Sequence, residues 1–399
     1  MKAENLTVLS LFDGMSCMRI TLDKMGITPG KYYASEIDPH ANKEVAANWP
    51  DAIQLGDVTK WREWGIDWSK VDLLVGGSPC QGFSFAGKQA GTKANLNGVD
   101  FIIETREQYL QAKEDGATFY SQSHLFWEYV LCLDYAKEQN PKIKFMLENV
   151  KMKKCFMDMI TEAMGVEPVF INSALVSAQN RQRFYWCNWE VTQPEDRGIL
   201  LADIIECAPT NPTYMTEKFV TRQKGRKCLV DDFERKASNL SSMEYVKNGR
   251  QGDYINQESF EEWYAKTKDW GGTSKEWEAL QMQINSAAIV GRKINPETGK
   301  REDYNANLPT IQTLEVIPHG KARCLSTVSK DCLVSNLPPG RYQENLSYRK
   351  LTVVECCRLQ GVPDDYFKVS SNTQAYKMLG NGWQCDTIEH IFNCLFKSA

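Results

Sequence analysis

The chain lacks any apolar run approaching the roughly 18 residues of a membrane-crossing helix. Histidine is scarce, four in 399 residues (His40, His124, His319, His390), and none is spaced with cysteines as in a zinc site, so no structural metal is expected. Thirteen cysteines occur, an odd number with no Cys-x-x-Cys pair. Met1-Lys2-Ala3-Glu4-Asn5 runs straight into a strand pattern, not into a signal peptide. Together these favour reduced thiols in a cytoplasm over a disulfide-stapled secreted domain. Neither sign of charge is in large excess: 47 Lys plus Arg face 51 Asp plus Glu, a net charge of −4. A nucleic-acid partner would therefore have to meet a local basic surface. A complete Gly-x-Gly-x-x-Gly run is missing, which argues against a pyrophosphate-bearing dinucleotide. There is no internal repeat and no low-complexity tract.

What is present is ordinary globular material. Hydrophobic residues make up 42% of the chain, enough for a large core, and the length fits two or three domains or one domain carrying an inserted one. The first half alternates strand and helix patterns. Strands are expected at Thr7–Phe12, Tyr32–Ile37, Ala52–Leu55, Val71–Val75, Lys144–Leu147, Val169–Leu175 and Phe184–Trp189. Helices are expected at Cys17–Met25, closed by Gly26, from Asp38-Pro39 to Trp49, at Leu125–Lys137 and at Phe156–Met164. This succession predicts an α/β fold, a doubly wound and mostly parallel sheet.

Near Cys207 the pattern breaks. From there to about Pro339 an irregular, smaller domain with little regular helix is expected, and helical pattern resumes at Thr352–Gln360 and Gln374–Phe396. Residues 88–122 form a long polar segment of the kind that serves as a lid, binding loop or linker. The division is therefore 1–206, 207–339 and a returning 340–399.

Gly77-Ser78-Pro79-Cys80-Gln81-Gly82-Phe83-Ser84 follows the strand at Val71–Val75. A cysteine in a Pro/Gly loop at the carboxyl end of a strand sits where open α/β sheets hold ligands, so it is read as a nucleophile, against the commoner role of a small buried hydrophobe. Phe12-Asp13-Gly14 is a strand end and tight turn. Glu36 follows Gly14 by 22 residues, at the end of the second strand, where an acid typically binds ribose hydroxyls. Asp57, at the third strand's end, can take an adenine amino group. Singly these are a turn and two caps; on successive strand ends they suggest a nucleoside pocket. Glu148, in Phe145-Met146-Leu147-Glu148-Asn149-Val150, lies in the layer of Cys80. An acid among apolar residues has its pKa pushed up by desolvation and suits a proton donor; the alternative is an ion-paired structural acid. In Gln179-Asn180-Arg181-Gln182-Arg183 two arginines two apart in an extended segment point the same way, to grip a base and its phosphate or to sit in solvent. Thr352, Glu355 and Arg358 at helical spacing organise a domain boundary. Leu379-Gly380-Asn381-Gly382 is read as a helix opening.

In this order the blocks resemble the DNA (cytosine-5) methyltransferase family of bacterial or phage type, over roughly residues 6–206 and 322–399. They are Phe12-Asp13-Gly14, Glu36-Ile37-Asp38, Gly56-Asp57-Val58, Pro79-Cys80-Gln81, Glu148-Asn149-Val150, Gln179 to Arg183, Arg349 to Pro363 and Gly380-Asn381. The resemblance implies a Rossmann-like methyltransferase domain. S-adenosyl-L-methionine would lie against Phe12, Gly14, Glu36, Ile37, Asp57, Val58, Gly77, Pro79 and Asn381, leaving as S-adenosyl-L-homocysteine, with no metal. It implies a cytosine flipped out of double-stranded DNA. Cys80, as thiolate in positive surroundings, would attack C6. Glu148 would bond N3 and the exocyclic amine, and Arg183 and Arg181 would hold base and backbone. Ser78, Gln81, Asn149 and Gln179 are the further substrate-binding candidates.

The irregular middle would be the target-recognition domain, with Arg222, Lys224, Arg226, Arg292 and Lys293 as candidates for phosphate contacts. Segment 88–122 would close as the lid, though it is longer than the family leads one to expect. A cytoplasmic site in a bacterium or phage-infected host is implied, with room for a companion restriction nuclease. Two departures stand out: Ser16 where the family usually has a second glycine, and Gly382-Trp383 where a small polar and an aliphatic residue are common. Two other functions stay open, a tRNA cytosine-5 methyltransferase of the same architecture and a catalytically inactive DNA-binding homologue.

Overall fold

The computed structural model describes residues 5–83, 91–206 and 349–397, with 285–293, 295, 305, 307–308, 310–317, 321–325, 333–335 and 340–342 between them. The chain divides into two compact units, one of residues 1–176, 181–197 and 360–399, the other of 177–180 and 198–359.

In the first unit the chain runs β1 (Thr7–Leu11), α1 (Cys17–Lys24), β2 (Lys31–Ser35), α2 (Pro39–Asn48), β3 (Ile53–Gln54) and β4 (Leu73–Gly76). There follow β5 (Lys93–Leu96), β6 (Val99–Ile102), α3 (Arg106–Glu114), β7 (Thr118–Phe119), α4 (Phe126–Gln139), β8 (Lys144–Val150), α5 (Lys154–Met164), β9 (Pro168–Asn172) and β10 (Gln182–Cys187). Seven of these strands form one sheet in the order β3-β2-β1-β4-β8-β10-β9. The pairs β2–β3, β1–β2, β1–β4 and β4–β8 are parallel, and β10 runs antiparallel to both β8 and β9. The mostly parallel, Rossmann-like sheet expected from the sequence is the fold observed. Central strands read as continuous apolar runs because both faces are covered: Val8, Leu9, Leu11, Leu73, Leu74 and Leu147 are fully buried. Asp38 caps α2 by accepting from the His40 N–H, with Pro39 at the first helical position.

Residues 91–122 are a folded insertion, more ordered than a polar segment of that length suggests. Strands β6-β5-β7 make a small antiparallel sheet. Helix α3 begins with a reciprocal capping box between Thr105 and Gln108. Fully buried Glu128 of α4 holds the insertion, accepting from Tyr109 (2.8 Å) and Lys113 (2.5 Å) of α3 and from Trp61 (3.2 Å). The single helix expected over Gln374–Phe396 is two, broken at Gly382–Gln384.

The second unit corrects the expectation of irregularity. Its described residues form a five-stranded antiparallel sheet, in the order β14-β12-β11-β13-β15. The strands are β11 (Asn285–Lys293), β12 (Thr310–Ile317), β13 (Leu333–Ser335), β14 (Gly340–Tyr342) and β15 (Arg349–Lys350). A short α6 (Leu201–Ile204) precedes it, and α7 (Val353–Gln360) follows. The first unit then ends with α8 (Asn372–Asn381) and α9 (Cys385–Lys397). Thr352 and Glu355 cap α7 reciprocally, while Glu355 also accepts from the Glu206 N–H and Arg358 donates to the Ile204 carbonyl. These three residues are thus used in packing. Arg222, Lys224 and Arg226 lie outside the described residues, as does the Arg292 side chain; Lys293 donates to the Asn305 carbonyl at 2.7 Å. Among the described residues no helix is long and apolar enough to cross a membrane.

Candidate active site

Cys80 sits four residues past β4, half-buried, on a turn closed by a 3.0 Å bond from the Phe83 N–H to its own carbonyl. Phe83 is fully buried against Phe156, which anchors the far side of the turn. The next anchor is Ser123, whose Oγ accepts the Gly82 N–H at 2.8 Å. The Gly82 carbonyl accepts the Gly91 N–H (2.9 Å), and the Gly91 carbonyl accepts Ser121 Oγ (3.0 Å). The loop after the cysteine therefore leaves and returns at one hydrogen-bonded clasp. Asn149 of β8 ties down the near side through Nδ2 to Ser78 Oγ at 3.1 Å. Asn149 and Ser78, read as substrate-binding, thus hold each other, while Gln81 is exposed.

Glu148 comes from β8, the parallel neighbour of β4. In the antiparallel β8–β10 pair Glu148 faces Tyr185 and Val150 faces Arg183. Glu148 and Arg183 are diagonal neighbours on one face, which accounts for the 2.8 Å ion pair between Oε1 and Nε. Arg181, buried just before β10, donates to the Gly382 carbonyl at 2.7 Å and so anchors the break between α8 and α9. The pair of arginines expected to grip one ligand is divided between a carboxylate and a backbone turn.

Positive surroundings were expected to favour the Cys80 thiolate; the structure differs. Burial pushes the thiol above its ordinary value, Glu148 adds to the rise, and Arg183 and Arg181 oppose it. The arginines do not overcome desolvation and the nearby carboxylate.

Nothing larger than hydrogen fits at Gly77. A Cβ there would lie 2.6 Å from Nε1 of Trp383 and 3.1 Å from Oε2 of Glu148. Gly77→Ala should therefore displace the indole or the carboxylate and lower kcat/KM by roughly 10²-fold, as a misplacement of about 1 Å can. Steady-state kinetics at wild-type level would contradict this packing. Trp383 is the aromatic departure noted in the sequence, and its indole fills the space beside Gly77.

The second cluster lies on the carboxyl ends of β1, β2 and β3. Phe12 and Ser16 take left-handed backbone, φ 55° and 56°, and Gly14 likewise, φ 56°. Glu36 Oε2 accepts the Gly14 N–H and Oε1 accepts the Ile37 and Asp38 N–H groups, all at 2.8 Å. Ile37 is 67% exposed, a large apolar side chain left uncovered beside that acid. Asp57 caps the 3-10 helix Val58–Glu63, Oδ1 accepting from Thr59 N and Oγ1 at 2.9 Å each, and Val58 is buried. Pro79 is half-buried in the cysteine turn. Asn381 is exposed and ends α8, so Gly380 to Gly382 close a helix instead of opening one. Gln179 belongs to the second unit. It is fully buried, and neither end of its amide has a hydrogen-bond partner among the described residues.

Sequence reasoning missed Asp13. It is buried, accepts from Tyr32 (2.7 Å) and from Ser16, and faces Ser10 and Glu36. Burial pushes its carboxyl from 3.8 up to about 6 against those hydrogen bonds, with the Glu36 charge adding to the rise. The folded chain thus holds this proton more tightly than the unfolded chain. Its stabilising share is complete below about pH 4 and is lost as pH rises through about 6. Relative to Asp13→Asn, the wild type should lose about 1 kcal/mol of unfolding free energy between pH 5 and 7, readable by urea denaturation. A difference that stays constant would show that Asp13 titrates normally.

A sheet of this order, with a glycine turn after its first strand and a cysteine loop beside a strand-borne carboxylate, defines the Rossmann-like class of methyltransferases. The C-5 cytosine-specific DNA methylase family matches residues 6–106 and 110–397, and the chain belongs to that family. It is a DNA (cytosine-5-)methyltransferase. The match runs through the middle of the chain, which the motif resemblance had left uncovered. The chain is 25% identical over 475 residues to the orphan methyltransferase M.SPRI of Bacillus phage SPR, covering 97% of this chain and 96% of that one. It is 25% identical over 403 residues to the type II methyltransferase M.HpaII of Haemophilus parainfluenzae, covering 95% and 86%. In fold it is similar to Entamoeba histolytica methyltransferase EhMeth, with a TM-score of 0.52 at 12% identity over 99% of each chain.

Proposed function

We propose that the protein methylates C5 of a cytosine flipped out of duplex DNA, using S-adenosyl-L-methionine and a transient bond between Cys80 and C6. The observation that carries this is the convergence of a half-buried cysteine and the Glu148–Arg183 pair on neighbouring strands.

The residues at the ends of β1 to β3 fit a nucleoside. Glu36 offers carboxylate oxygens to ribose hydroxyls, uncovered Ile37 offers an apolar face to a base, and Asp57 has its second oxygen for an amino group. Gly14, Phe12, Val58, Gly77, Pro79 and Asn381 complete the proposed wall. When bound, the sulfonium donor supplies an electrophilic methyl group. Cys80 gives its thiol proton to water and adds to C6 as the thiolate, and the displaced π electrons move toward N3. Glu148, hydrogen-bonded to N3 and the exocyclic amine, shares a proton with N3 as charge builds there. Arg183 orients that carboxyl group. C5, now electron-rich, takes the methyl group as its bond to the donor sulfur breaks, leaving S-adenosyl-L-homocysteine. Loss of the C5 proton to water then re-forms the C5–C6 double bond and expels the Cys80 thiolate.

The Gln179 amide side chain, buried and without a hydrogen-bond partner among the described residues, supports a polar ligand at the second unit, since such an amide is costly unless satisfied. We assign target reading to residues 207–339, and the lid to segment 88–122. The relatives support work in the cytoplasm of a bacterium or phage-infected cell. A tritiated methyl-transfer assay with duplex DNA and with tRNA, followed by base analysis, tests the proposal. Label in 5-methylcytosine of duplex DNA is expected. Label confined to tRNA, or none in either, would contradict it.

A further inference from the structure

The turn that carries Gly14 is built around a serine in a glycine's conformation. Ser16 has φ 56° and ψ 47° at the N-cap of α1, and it is fully buried. A left-handed backbone strains any residue with a Cβ, so a serine here needs something in return. Serine at an N-cap commonly bonds the first helical amides, but this side chain makes no cap hydrogen bond. Its hydroxyl donates to Asp13 instead.

Asp13 is the hub of the turn. Its carboxylate also takes the Tyr32 hydroxyl from β2 at 2.7 Å. Its N–H donates to the Ser35 carbonyl at 3.0 Å, and its carbonyl accepts the Ser16 N–H at 2.9 Å. The next residue, Gly14, is tied to Glu36 at 2.8 Å. From the other side Tyr366 donates to the Met15 carbonyl at 2.7 Å, and the Trp383 N–H donates to Cys17 Sγ at 3.2 Å. Every residue from Asp13 to Cys17 is therefore held, and Ser16 is held by its side chain as well as its backbone.

We infer that Ser16 is a positioning residue for the donor site. Its hydroxyl, acting through the Asp13 carboxylate and Tyr32, fixes the turn that presents Gly14 and Glu36. The inference rests on the proposed use of S-adenosyl-L-methionine. Ser16 does not touch the reacting atoms, so its loss should weaken donor binding and leave the chemical step alone.

The test is calorimetric titration of the full chain with S-adenosyl-L-homocysteine, beside steady-state kinetics with the methyl donor. Ser16→Gly removes the hydroxyl together with its Cβ and keeps the left-handed backbone without strain; Ser16→Ala removes the hydroxyl alone and keeps the strain, so the two variants together separate the hydroxyl from the backbone. Both should raise the Kd and the donor KM by about tenfold, the worth of one charge-assisted hydrogen bond, with kcat at saturating donor within about twofold of wild type. In an Asp13→Asn background, Ser16→Gly should weaken binding no further, because its partner is already altered. Wild-type affinity in Ser16→Gly would overturn the inference, since backbone shape alone would then suffice. So would an equal weakening with and without Asp13→Asn. If the wild-type chain itself bound no S-adenosyl-L-homocysteine, the donor assignment would fall and this inference with it. Binding by wild type with Ser16→Gly unaffected would remove the inference alone.

Discussion

Glu148→Gln should make Cys80 more reactive toward a small alkylating agent while nearly abolishing methyl transfer. The two effects come from one carboxylate. Burial and the Glu148 charge both raise the Cys80 thiol, and the arginines oppose them. Removing the charge lowers the thiol pKa and leaves Arg183, formerly paired at 2.8 Å, as an uncompensated cation nearby. Both changes favour thiolate. At any pH below the thiol pKa the iodoacetamide rate should therefore rise, and its pH profile should move to lower pH. Turnover should fall by roughly 10²–10⁴-fold, because glutamine cannot share a proton with N3. An alkylation profile unchanged by Glu148→Gln would mean that the carboxylate does not govern the thiol. Normal turnover would remove it from the chemistry.

Cys80→Ser should lower methyl transfer by on the order of 10³-fold or more, with the fold intact, since a serine side chain differs little in size. A hydroxyl is far harder to ionise than a thiol, and the surroundings that disfavour a thiolate here disfavour an alkoxide as well. Binding of duplex DNA, followed by fluorescence anisotropy, should stay within a few-fold of wild type, because the turn is fixed by Phe83, Ser123 and Asn149 and not by the sulfur. Substantial turnover by the serine variant would point to a route that forms no bond to the enzyme.

The catalytic sheet was legible because its central strands are buried on both faces and so read as unbroken apolar runs, as in Leu73 to Gly76. The cap at Asp38 and the stop at Gly26 were legible for local steric reasons. The insertion was less so, since its strands are short and half polar. Its strongest signal was Asn97-Gly98 between Leu96 and Val99, a two-residue hairpin turn with φ 52° and 85°. The five-stranded sheet of the second unit stayed hidden because its pairings join segments far apart in sequence, as Ala287 with Val316 and Leu333.

In the site, Cys80, Glu148 and Gly77 could be named from strand ends. Their couplings could not. The Glu148–Arg183 pair depends on a strand register between residues 35 apart, and the Arg181 contact with Gly382 on residues 201 apart. Ser16 was visible only as a serine in a glycine's place; that it turns toward Asp13 required the backbone angle.

The most direct measurement is denaturing electrophoresis of the protein after incubation with S-adenosyl-L-methionine and duplex DNA carrying 5-fluorocytosine in place of its target. With fluorine in place of hydrogen at C5 there is no proton to remove after methyl transfer, so the Cys80 bond to C6 should persist. The account predicts a shifted, denaturation-resistant band whose peptide map places the base on Cys80, absent in Cys80→Ser. Transfer of label to ordinary duplex DNA with no such band would contradict it.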